Sequence, residues 1–158
     1  SRSEMKLDRI DRRILDLLQA DNQIPNVALA EKVGLSPPAC SRRTGRLRAE
    51  GVIARDVSLV DPQKVGKTLS VVLTVTLEVQ RRELLDSFAA RIRTLPAVQH
   101  CYMVAGAVDF VIFALLDDMQ AYAAFIAEAL GNDRNVKSYE TWFVLSEVKN
   151  DSRIPLAP

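Results

Sequence analysis

Residues 69–79, LSVVLTVTLEV, place Leu69, Val71, Leu73, Val75, Leu77 and Val79 on one side of an extended chain. Period-two alternation of that length predicts a strand with one apolar face. Such a face has to be covered, so the stretch commits the second half of the chain to a sheet with elements packed on it. The flanking sequence supplies them. Residues 82–95 put Leu84, Leu85, Phe88, Ile92 and Leu95 on one helical face, and Pro96 ends the helix. AVQHCYMVAG (97–106) and AVDFVIFALL (107–116) read as two strands joined at or near Gly106. Asp118 is placed to cap a helix bearing Met119, Tyr122, Phe125, Ile126, Ala129 and Leu130, which stops at Gly131. A last strand is expected over residues 136–148. The order β-α-β-β-α-β is the ferredoxin-like arrangement, with two helices on one face of an antiparallel sheet. On the opposite face Val72 lies among Ser70, Thr74 and Thr76, a mixed surface that a second copy of the chain would bury.

The first sixty residues read differently. In residues 7–20, Ile10, Ile14, Leu17 and Leu18 share a helical face behind Asp8 as N-cap. Asn26 is expected to cap a short helix over 27–33, with Gly34 at its C′ position. Ser36 then caps a third helix that has Pro37 at its first position and Gly51 at its end. Two short helices separated by residues 34–36 form a helix-turn-helix. At about 100° per residue, Cys40, Thr44 and Leu47 of the third helix face the core. Arg42 and Arg46 point away from it beside Pro38, Gly45 and Ala49, while Arg43 and Arg48 flank the core stripe. Four arginines with only Glu50 among them are expected to be unpaired and to repel, which suits a helix that reads DNA better than a merely solvated face. VIARDVSLVDP (52–62) reads as a short strand or wing leading to a hinge at 61–67.

These readings make an α+β chain. A winged-helix-like helix-turn-helix domain occupies residues 1–60 and a hinge 61–67. A ferredoxin-like domain follows at 68–150, with a C-terminal tail at 151–158. Net charge is only +1, yet residues 1–67 carry 13 basic and 9 acidic groups against 8 and 11 in the remainder. A polyanion therefore meets the first domain. Apolar runs fall short of the roughly 18 residues a membrane helix needs. The N-terminus offers no signal peptide, and Cys40 and Cys101 lack metal-type spacing; a cytoplasmic protein with reduced thiols is expected.

LDRIDRRIL (7–15), LAEKVGLSPPACSRR (29–43), LRAEGVI (47–53) and VAGAVDF (104–110) together resemble the Lrp/AsnC family of transcriptional regulators. The resemblance covers nearly the whole chain. It implies double-stranded DNA as partner, homodimers built through the C-terminal domains that assemble to tetramers or octamers, and a small effector, usually an amino acid, instead of a cofactor. DNA contacts are expected from Ser36, Pro38, Ser41, Arg42, Arg43, Gly45, Arg46 and Arg48. Arg42 and Arg46 are assigned to base edges or phosphates, and Ser41, Arg43 and Arg48 to positioning on the backbone. Gly106 and Asp109 match the family's Gly-x-x-Asp hairpin, and the effector site is expected to comprise Met103, Ala105, Gly106, Ala107, Val108, Asp109, Tyr139 and Thr141. Asp109 would take the ligand's ammonium group, or else cap turn amides. The sequence departs from the family pattern at Ala105, Ala107 and Val108, where more polar residues are usual, which points to an apolar amino acid or to no ligand. It departs again at Thr44 and Gly45.

Catalysis is not expected. His100 is the sole histidine and reads as a packing residue, Asp117–Asp118 as a helix cap, and no phosphate loop or Ser/His/Asp set is visible. The competing classes are an oligomeric ferredoxin-like binding protein or enzyme without effective DNA binding, and a pure assembly partner.

Overall fold

The computed structural model describes residues 6–156. The chain divides into two compact units. The first runs to Leu59 and also takes in the segment from Lys149 onward; the second spans Val60–Val148.

In the first unit, α1 (Arg9–Ala20) starts at a reciprocal cap: the Asp8 carboxylate accepts from the Asp11 amide, and the Asp11 carboxylate accepts from the Asp8 amide. α2 (Asn26–Val33) ends on Gly34 at φ 71°, the left-handed turn that glycine allows. Its N-cap is Pro25, not Asn26. The Asn26 amide instead donates to the Pro37 carbonyl at 2.9 Å, tying the two helix starts together. α3 (Pro37–Ala49) begins at Ser36, whose hydroxyl accepts from the Ala39 amide. Ile14, Leu15, Leu29, Ala30, Cys40 and Leu47 form the buried core of this small bundle.

One expectation fails here. Residues 52–60 form no strand, and Leu59 and Val60 stand exposed; local alternation makes a strand only where a partner supplies the ladder. The C-terminal tail belongs to this unit. The Gln19 side chain donates to the Ile154 carbonyl (3.0 Å) and accepts from its amide (2.7 Å), and Leu156 packs on the helical core.

The second unit is a four-stranded antiparallel sheet ordered β2-β3-β1-β4, from β1 (Leu69–Leu77), β2 (Val98–Met103), β3 (Phe110–Leu116) and β4 (Val136–Phe143). α4 (Arg82–Arg93) and α5 (Met119–Leu130) bury Phe88, Ile92, Phe125, Ala129 and Leu130 against Val71, Leu73, Val75, Leu77, Phe110, Ile112 and Ala114. Asp118 caps α5 through the Ala121 amide, as its position suggested. Residues 61–67 do not hang free between units. They hold a 3-10 turn, Gln63–Val65, and Lys67 pairs with Asp117 at 2.6 Å. β4 is five residues shorter than its sequence pattern: its pairing with β1 ends at Phe143 opposite Val71, followed only by a bond from the Val144 amide to the Ser70 carbonyl near the start of β1.

The sheet face away from the helices is more aromatic than β1 alone suggests. The register sets His100, Phe113, Val72 and Trp142 in one row across all four strands. His100 stacks on Tyr102, and both rings meet the Phe113 edge at 6.1 and 6.3 Å. Tyr102, Phe113 and Trp142 are all exposed.

Candidate functional site

α3 presents the expected faces. Cys40, Thr44 and Leu47 are buried, while Pro38, Ser41, Arg42, Gly45, Arg46 and Arg48 are exposed and Arg43 is half-buried. Thr44 satisfies its hydroxyl on the Ser41 carbonyl at 3.0 Å, so a polar residue sits in the core stripe without an unpaired group. Apart from its chain neighbours and the backbone of its own helix, nothing lies within 4 Å of where a Gly45 Cβ would stand.

The expectation of unpaired arginines is corrected. Arg43 bridges Asp8 (2.6 Å) and Asp11 (2.9 Å), Arg46 reaches Asp11 (2.9 Å), and Arg48 pairs with Asp56 at 3.0 Å. Among the described residues only Arg42 of the four lacks an ion pair. The carboxylates come from α1 and from the segment after α3, so reading α3 in isolation could not reveal them. Hydrogen bonding from Arg43, then from the Asp11 amide, holds the Asp8 carboxyl below its ordinary value; Arg48 does the same to Asp56. The residue that sequence reasoning missed is Asp11, the one charged side chain buried among the described residues. Its signal was present: Asp8-x-x-Asp11 is a capping-box spacing, and Asp11 precedes Ile14 and Leu15 by three and four residues, on their side of the helix.

The residues expected around an effector do not form one pocket in a protomer. Met103 ends β2 at one edge of the sheet, and Tyr139 and Thr141 lie on β4 at the other. The hairpin residues 104–109 form a six-residue loop, wider than the tight turn at Gly106, and its Ala105, Gly106 and Ala107 are exposed. Asp109 is half-buried, and its Oδ2 accepts from the Leu77 amide at 2.7 Å, where the β1–β4 register slips. Gln80 Nε2 lies 3.4 Å from the same oxygen. The Thr141 hydroxyl is bonded to the Tyr122 hydroxyl at 2.8 Å.

Two concavities on this unit each take in one of these residues. One of about 460 Å³ borders α5 and β4 and includes Asp133 and Tyr139. The other, about 400 Å³, lies between α4 and β2, where Asp86, Arg93 and Gln99 surround Val98, Cys101, Met103 and Phe110. Burial there pushes the Cys101 thiol up. His100 is on the open sheet face among aromatic rings, as a packing residue. The described residues contain no group of three metal-ligand side chains, and no helix among them is long and apolar enough to cross a membrane.

Comparison with known proteins assigns both units. Residues 7–54 match the winged helix-turn-helix DNA-binding family model, and residues 70–154 match the Lrp/AsnC ligand binding domain. The chain belongs to the Lrp/AsnC family. An uncharacterized HTH-type transcriptional regulator of Sinorhizobium fredii is 38% identical, the match covering 96% of this chain and 90% of that one. The leucine-responsive regulatory protein of Salmonella typhimurium is 36% identical over 94% of this chain and 90% of its own. Among solved structures, a transcriptional regulator from Neisseria meningitidis in complex with L-Met has a TM-score of 0.89 and 32% identity, covering 96% of this chain and 97% of that one. Lrp/AsnC proteins are transcriptional regulators, not enzymes, and this chain is a DNA-binding regulator with a ligand-binding domain.

Proposed function

We propose that this Lrp/AsnC regulator inserts α3 into the major groove of double-stranded DNA, and that its ferredoxin-like unit binds an amino acid that changes DNA affinity or assembly. The reading is that of a cytoplasmic homodimer able to assemble further. One observation carries it. α3 exposes Ser41, Arg42, Gly45 and Arg46 on a single face, directly after the Gly34 turn of a helix-turn-helix. Arginine suits this face because its planar fork donates two bonds to guanine or to phosphate. Ser36, Pro38, Arg43 and Arg48 border the same helix and position it. The aromatic row His100–Phe113–Val72–Trp142 supports a second copy as the cover of the open sheet face.

The amino-acid reading rests on the relative's L-Met complex and on chemistry in this chain. The concavity beside α4 has a carboxylate, a guanidinium and an apolar floor. A zwitterion with an apolar side chain fits that set. Met103 is shared with the site expected at the hairpin. Asp109 is the alternative anchor, but its carboxylate already serves the Leu77 amide.

Linkage supplies the mechanism: a ligand that favours one arrangement shifts the population and with it the spacing of paired α3 helices. The test begins with DNA fragments selected from a random pool, followed by mobility shifts. Arg42→Ala is expected to cost about 1–3 kcal/mol of binding if it reads a base. Unchanged, salt-insensitive binding removes the assignment. A thermal-shift panel of amino acids on wild type, Arg93→Ala and Asp109→Ala then locates the ligand. Loss of the shift in Arg93→Ala alone supports the α4–β2 concavity, and loss in Asp109→Ala alone supports the hairpin.

A further inference from the structure

Two of the four arginines of α3, Arg43 and Arg46, converge on one buried group. Asp11 is 0% exposed, and its two oxygens are divided between two cations. Oδ1 accepts from Arg43 Nη1, while Oδ2 accepts from Arg46 Nη2 and from the Asp8 amide at 3.2 Å. Arg43 also holds Asp8. The two partners are not equivalent. The Arg43 side chain is 28% exposed and is spent on two carboxylates, whereas Arg46 is 48% exposed and donates one hydrogen bond to Asp11. A guanidinium has five N–H donors, so most of the Arg46 fork remains available.

An unrestrained arginine loses considerable rotamer freedom when it docks, and its positive charge attracts any phosphate regardless of sequence. A carboxylate behind the fork alters both effects. It fixes the side chain before DNA arrives, and it cancels charge that would otherwise favour unselective binding. We propose that Asp11 is a positioning residue for DNA reading, holding Arg46 from behind so that it contributes to discrimination between sequences more than to general affinity. Arg43 is the internal brace of this arrangement. The inference rests on α3 being the DNA-contacting helix.

The experiment compares wild type, Asp11→Asn and Arg46→Lys on a selected operator fragment and on a scrambled fragment, across several salt concentrations, with melting temperature measured alongside. For Asp11→Asn, binding to scrambled DNA tightens and its logarithmic salt slope steepens by about 0.9, the value of one further phosphate contact. Preference for the operator falls roughly tenfold or more, the loss of one bidentate contact. A merely structural Asp11 gives another pattern, in which both affinities fall together with the folded fraction, and that result overturns the proposal. If Asp11→Asn does not fold, Arg46→Lys decides. It keeps the charge and loses the fork, so scrambled binding holds while operator preference drops; unchanged preference overturns the proposal. Failure of wild type to bind any fragment is a separate outcome, which removes the DNA-contacting role of α3 itself.

Discussion

Gly45 shows what one residue can cost and gain. Glycine inside a helix is destabilising by about 1 kcal/mol relative to alanine. The position is exposed, nothing beyond its chain neighbours and its own helix backbone stands within 4 Å of a Cβ built there, and the backbone is ordinary helix. Packing within the protomer therefore does not require glycine, and Gly45→Ala is expected to raise stability by up to about 1 kcal/mol. It lies on the face of Arg42 and Arg46, where a bare backbone allows close approach to DNA. The same substitution is accordingly expected to weaken operator binding. Chemical denaturation and mobility shift on one preparation check both effects, and equal DNA binding would leave Gly45 as a tolerated imperfection. The facing of α3 was legible because helical periodicity is local: Cys40, Thr44 and Leu47 are inward by spacing alone. The partners of Arg43 and Arg46 were not, since Asp8 and Asp11 lie more than thirty residues away along the chain.

At the scale of elements the same divide recurs. The Ser36 and Asp118 caps, the Gly34 turn and most of the strand expected over 69–79 follow from neighbouring residues, and the structure contains them. Strand lengths and the tail do not, because each depends on what a distant segment provides. The 52–60 alternation found no partner, β4 stopped where β1 began, and the segment from Lys149 onward joined the helical unit. That last contact makes the tail part of the DNA-binding unit's stability. Leu156 adds apolar burial to a small core, and the Gln19 amide holds the Ile154 backbone in two bonds. Leu156→Ala is expected to cost about 1–2 kcal/mol, at about 0.8 kcal/mol per buried methylene for a partly buried side chain. Hydrogen exchange reads the loss unit by unit: α1 amides lose protection while those of β1 and β3 keep it. Equal loss in both units would contradict a role confined to the helical bundle.

The whole molecule is where a single chain says least, and where the open sheet face matters most. β1 alone offered one valine among Ser70, Thr74 and Thr76; only the register reveals that Phe113 and Trp142 flank Val72 while His100 and Tyr102 extend the patch. A stable interface of ordinary size buries about 800 Å² on each partner, a scale suited to one face of a four-stranded sheet. Two copies joined there place two α3 helices on one assembly, and such dimers read half-sites about one helical turn, 34–36 Å, apart. Affinity for a two-half-site operator then depends on the dimer, because the second helix binds at the effective concentration its partner sets. Trp142→Glu adds a carboxylate beside Glu140 in the exposed strand, on the face opposite the helix-side core. It is expected to shift sedimentation from dimer to monomer at micromolar concentration. Binding to a paired site should weaken by roughly 10²-fold or more, while binding to an isolated half-site stays unchanged. A variant that remains dimeric with full operator affinity would place the interface on another surface of the molecule.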